Sequence, residues 1–301
     1  MRSMPIAVCA AILLVNAPRA GQDPEEIGDY VRCLRAEAEA WAGQPEEDRD
    51  GAELFDRLVR AMLRRSALDE RPEIGLRRGI LALGYTLDVG AFLQKNLLLR
   101  GSFHGVETEE EQERGRMIAG KALLSGRNDL AQHFAVLAAM AELLGGEVAS
   151  RLGLAKEIGD AKQKDRGAGT GFSFADICAG EAGMAFMLSM ERHAQSFLET
   201  PSLTVEDFMP PIESLREELG YEEFVLQFGG LGDGRFTAVF EQIRESIAAC
   251  RGYAVLEEEQ DEDPARQGES GERSTPEREG GRAGGRRRLA PPPPAHTGRG
   301  S

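Results

Sequence analysis

Apolar residues recur along this chain at three- and four-residue steps, the spacing that places them on one face of a helix. Ile27, Tyr30, Val31, Leu34, Ala38 and Trp41 make the first such stripe. Residues 43–50, with Pro45 and a group of charges, interrupt it. Leu54, Leu58, Ala61 and Met62 form a second stripe, with arginines at 57, 60, 64 and 65 mostly off that face. Pro72 suits the first turn of a third helix, where its missing N–H costs nothing; that helix continues through Leu76, Ile80, Leu83 and Leu87. Residues 89–99 suggest a short apolar helix or turn, and Thr108 with Glu111 a capping box for the next helix.

Residues 126–183 predict three helices, the third entered through a glycine-rich loop. On the first of them Leu130, Phe134, Leu137, Ala141 and Leu144 fall within about 40° of one line. After a proline-broken stretch, a final amphipathic helix over 236–250, capped by Asp233, carries Phe236, Val239, Phe240, Ile243 and Ile247. Alternation with period two and internal repeats are both missing from the sequence. The expected fold is an all-α, multi-helix globular bundle, with a single domain over 23–256.

Both ends differ from this body. Residues 5–15 form an apolar run behind Arg2, too short to span a bilayer, with Ala17 and Ala20 as small cleavage residues. Residues 1–20 are therefore expected to be a signal peptide, and the protein to be exported to the periplasm or cell envelope. From Glu257 the chain turns to acidic, Gly/Arg-rich and proline tracts with almost nothing to bury, so 257–301 is expected to be a disordered tail. The remaining sequence has no run approaching the ~18 apolar residues of a membrane span. The formal net charge is -15, nearly all of it in the body. Such a surface repels phosphate backbones, which argues against a nucleic-acid partner and leaves an envelope protein as the partner to consider. Cys33, Cys178 and Cys250 lie too far apart for a disulfide framework or a zinc ribbon, leaving one bridge or buried thiols.

Chemistry concentrates in 126–183. His133 stands at the edge of its helix's apolar stripe, one turn after Asp129. A carboxylate at that spacing can orient an imidazole as a metal ligand or general base. Equally, Asn128 or Asp129 can cap the helix and His133 can be a core-edge residue bonded to a carbonyl. Lys156, Glu157 and Asp160 share neighbouring strips of the next helix, fit either for a carboxylate–histidine site between helices or for an exposed ion pair. Ser173 followed by Asp176 predicts a capping box, and Phe172 and Phe174 should anchor that loop in the core. Ser173 is a poor nucleophile candidate, because no Gly-x-Ser-x-Gly elbow surrounds it.

The segments Asp129-Leu-Ala-Gln-His133-Phe, Gly153-Leu-Ala-Lys-Glu157-Ile-Gly-Asp160 and Gly171-Phe-Ser-Phe-Ala-Asp176 together resemble a three-part signature of uncharacterised exported bacterial proteins. More loosely they are similar to YfiM-type predicted lipoproteins and, distantly, to VanZ-like membrane proteins. The resemblance, over about residues 70–240, implies a helical fold and an envelope location, and no activity. The family pattern places a second carboxylate four residues after the third-motif aspartate. Here Gly180 stands at that position, and Glu181 lies about 140° round the helix from Asp176.

Two functions follow. The favoured one is a structural or interaction role in the envelope, with these residues as caps and buried ties. The alternative is a metal-binding or hydrolase-like site built from His133, Asp129, Glu157, Asp160 and Asp176, with a divalent metal as cofactor and His133, Glu157, Asp160 and Asp176 as its candidate ligands. Convergence of those side chains in space separates the two.

Overall fold

A computed structural model describes residues 23–96 and 99–261. The expected signal segment, and the expected tail from residue 262 onward, lie outside the described residues. Eleven α-helices are present among those described: α1 (Pro24–Ala42), α2 (Gly51–Ala67), α3 (Pro72–Leu87), α4 (Phe92–Lys95), α5 (Glu109–Ala119), α6 (Asn128–Leu144), α7 (Gly146–Lys164), α8 (Phe174–Glu199), α9 (Tyr221–Phe228), α10 (Gly234–Ala248) and α11 (Arg251–Asp261). The described residues contain two isolated β-bridges and no strand, so the fold is all-α. None of the described helices is long and apolar enough to cross a membrane.

Local chemistry sets many helix starts. Asp23, Asp50 and Asp233 each accept a hydrogen bond from the second residue of the helix that follows, and Pro24 and Pro72 occupy first turns. Thr108 and Glu111 form the expected capping box. The helical pattern continues past the compositional break at Glu257, through Asp261.

Helix α6 is the axis of the core. It packs against α3, α7 and α8, and α1 and α2 pack on α3. Its Leu130, Ala131, Phe134, Ala135, Ala138 and Ala139 are buried, and small residues on several sides let neighbouring helices come close. Arg60 departs from its expected place off the apolar face of α2. It is buried, pairs with Asp56 at 2.6 Å, and donates to the carbonyls of Phe197, Thr200 and Leu203. That contact fixes the chain where it leaves α8. A buried guanidinium is tolerated only when so many of its N–H groups are matched.

The entry to α8 is held by aromatic rings. Phe172 stacks on Phe224 at 4.1 Å between centroids, and Phe174 meets Phe228 and Phe236. Phe172 also pairs through both backbone groups with Leu219, and Phe174 N–H donates to the Arg216 carbonyl. Gly171 (φ +95°) permits this approach, because a Cβ there would sit 2.7 Å from the Glu218 backbone. The bridge brings residues 216–219, distant in sequence, alongside the start of α8.

Candidate functional site

Three elements meet below that bridge. His133 projects from the second turn of α6, Glu157 from the middle of α7, and Asp176 from the first turn of α8. His133 Nε2 lies 3.1 Å from Asp176 Oδ2. One ligand atom from each of His133, Glu157 and Asp176 falls within 4.8 Å of the others. His133 and Asp176 border a cavity of about 450 Å³ whose wall includes Arg127, Asp129, Lys164, Thr170, Ser173 and Glu217, with Glu157 behind that wall.

Each carboxylate is oriented by its neighbours. Glu157 is buried; it accepts from Ser173 N–H at 3.1 Å and from Lys156 at 2.8 Å. Asp176 accepts from the Ser173 hydroxyl at 3.0 Å, and Arg127 approaches its Oδ1 to 3.6 Å. The Ser173 hydroxyl in turn accepts from Asp176 N–H, the geometry of a helix cap; the reciprocal half of the expected capping box does not form, because Ser173 N–H is taken by Glu157.

The two buried carboxyls are pushed in opposite directions. Burial, followed by the charge of Asp176, raises the Glu157 carboxyl above its ordinary value, with Lys156 and His133 offsetting part of this. Burial acts the same way on Asp176, but the hydrogen bond and charge of His133, with Lys156 and Ser173, outweigh it and hold that carboxyl below the ordinary value. Lys156 is held above the usual lysine value: burial lowers it, and Glu157 and Asp160 more than compensate.

Of the sequence candidates, His133, Glu157 and Asp176 are brought together. Asp129 and Asp160 stand at the margin with other partners. Asp129 gives both oxygens to Arg127, at 3.1 and 2.6 Å, so the carboxylate that meets His133 is Asp176 from another helix rather than the residue one turn earlier. Neither Asn128 nor Asp129 caps α6; the cap position is Arg127, without a side-chain bond. Asp160 pairs with Lys156 at 2.9 Å, the expected contact along one helix.

Sequence inspection missed Arg127 and Glu217. Arg127 joins Asp129, Asp176 and Glu217, the last at 2.6 Å. Its position directly before the α6 motif was the one available signal. Glu217 belongs to no motif and arrives through the Phe172–Leu219 bridge.

Gly180, four residues after Asp176, has a packing explanation. A Cβ on Gly180 would come within 2.4 Å of Leu137 Cδ2, so Leu137 fills the level one turn beyond the His133–Asp176 pair. Glu181 does not replace it, being bound by Ser150 at 2.5 Å and Arg244 at 2.9 Å.

Comparisons with protein-family models, curated proteins and solved structures give no match for this chain.

Proposed function

We propose that this protein binds a divalent cation through His133, Glu157 and Asp176 and uses it for hydrolase-like chemistry in the adjoining cavity. The observation that carries this is the convergence of an imidazole and two buried carboxylates within 4.8 Å beside an open space. Ligand atoms about 2 Å from a zinc or manganese ion lie some 3–4 Å apart, so small side-chain movements close the set. A mixed nitrogen and oxygen donor set suits zinc or manganese. Three protein ligands, rather than four, are the number typical of catalytic rather than structural zinc sites. Held by these residues, such an ion would supply Lewis-acid polarisation to a substrate in the cavity.

Charge supports the same reading. Asp129, Glu157, Asp160, Asp176, Glu217 and Glu218 in and behind the wall face only Arg127, Lys156 and Lys164. A divalent cation reduces that excess of negative charge, whereas an anion would add to it.

Calorimetric binding of zinc and manganese to wild type and to His133→Ala tests the proposal. Binding that depends on His133 is expected. The competing account, in which these side chains only tie helices together in an envelope protein, requires that any binding measured for wild type persist unchanged in His133→Ala, and that result would sink the metal site.

The N-terminal apolar run and the three-part signature support export to the cell envelope and kinship with the exported bacterial family. N-terminal sequencing of the protein from fractionated cells checks the first; an intact Met1 in the cytoplasmic fraction contradicts it.

A further inference from the structure

Resting on the metal reading above, a second assignment concerns Lys156. Its ammonium lies 2.8 Å from Glu157 Oε1, 2.9 Å from Asp160 Oδ2 and 3.4 Å from His133 Nε2. It therefore touches two of the three groups that the ion requires. We propose that Lys156 is the site's internal counterion, seated where a metal ion would sit and exchanged for it on binding, so that metal affinity is set by competition with this one ammonium.

The argument starts from charge. Glu157 and Asp176 are buried beside one imidazole, and two carboxylates in that position need a compensating cation. Lys156 supplies it. An ion bonded to His133 and Glu157 at about 2 Å would come within roughly 3 Å of the ammonium, and two cations at that separation in a partly buried site repel strongly. The lysine must move.

Two features let it. The side chain is a flexible four-carbon stem on an exposed residue, with the cavity beside it. Asp160, one turn along α7 and outside the ligand set, keeps a hold on the ammonium after Glu157 and His133 are taken. This gives Asp160 a role as anchor for the displaced lysine. Arg127 does not take this place: its short contacts are to Asp129 and Glu217, and it reaches Asp176 only at 3.6 Å.

Lys156→Met removes the competitor and leaves His133, Glu157 and Asp176 in place. Calorimetry with zinc and with manganese should show tighter binding by Lys156→Met than by wild type, by about tenfold or more. Lys156→Arg, which keeps the charge, should not gain affinity. Loss of the ammonium also removes a partner from buried Glu157, so Lys156→Met should unfold at a lower temperature without added metal. Its rise in unfolding temperature on metal addition should exceed that of wild type. Binding by Lys156→Met where wild type shows none is the extreme form of the expected result. Equal or weaker binding by Lys156→Met overturns the exchange while leaving the metal site standing. Failure of both wild type and Lys156→Met to bind either metal overturns the metal site, and this assignment with it.

Discussion

A Cβ on Gly183 would lie 2.1 Å from the carbonyl oxygen of Phe134, so α8 and α6 cross at a separation that only glycine permits. The obstacle is backbone, which cannot rotate away. His133 precedes Phe134 on α6, and Asp176 lies two turns before Gly183 on α8, so the same crossing sets the distance between the imidazole and its carboxylate.

Gly183→Ala should therefore destabilise the protein by about 2 kcal/mol, an overpacking cost of up to ~3 kcal/mol less the ~1 kcal/mol alanine gains in helix propensity. Gly180→Ala should cost less, about 1 kcal/mol or under, because the nearest atom is a terminal methyl of Leu137 that can turn aside. Urea unfolding of both variants checks the order. Equal losses would mean that the helices shift apart as freely at Gly183 as at Gly180.

Within the metal site, the candidates should separate into ligands and neighbours. Asp176→Asn and Glu157→Gln should weaken zinc or manganese binding by about tenfold or more, and Asp129→Asn should change it by no more than about threefold. Asp160→Asn should weaken it modestly, through the loss of the lysine's anchor. Binding isotherms on the four variants read this directly; an Asp129→Asn loss as large as that of Asp176→Asn would contradict the geometry.

Arg60 should be among the most costly surface-looking residues to replace. Arg60→Ala leaves Asp56 with only the Val205 N–H and strands the carbonyls of Phe197 and Leu203, at a cost of about 3 kcal/mol. Arg60→Lys should recover less than half of it, since an ammonium cannot reproduce the fork of contacts. Thermal and urea unfolding measure both.

The three cysteines among the described residues are free thiols. Burial, then the charges of Cys250 and Glu181, pushes the Cys178 thiol up to about 12, and burial alone pushes Cys250 up to about 11. The folded state thus holds these protons more tightly than the unfolded chain. The associated stability is present below the unfolded thiol value near ~8.5 and is lost as pH rises through the folded values. Native protein at pH 8 should react with a maleimide first at half-buried Cys33, with Cys178 and Cys250 protected until denaturant is added. Fast labelling of Cys178 in the native protein would refute this, and mass spectrometry of labelled peptides identifies the site.

The helical class was legible because amphipathic spacing is a local property, repeated in stripes such as Ile27 to Trp41 and Leu130 to Leu144. Caps at Thr108, Ser173 and Asp233 were legible for the same reason, each depending on residues within one turn. Arg60 was not, because helix periodicity placed it off the apolar face, and its burial depends on carbonyls at the far end of α8.

The candidate site divides in the same way. By itself the sequence determined that His133, Glu157 and Asp176 stand on three consecutive helices, His133 at the edge of an apolar stripe and Asp176 at a helix start. It also led to Asp129 as the partner of His133, since a neighbour one turn away is all that local spacing can supply. Only the tertiary structure decided that Asp129 belongs to Arg127 and that His133 belongs to Asp176. The physical reason lies in the close crossing of α6 and α8, set by the backbone contact at Gly183, and in the Phe172–Leu219 bridge that carries Glu217 to Arg127. Both depend on which surfaces pack together, and no spacing along the chain contains that.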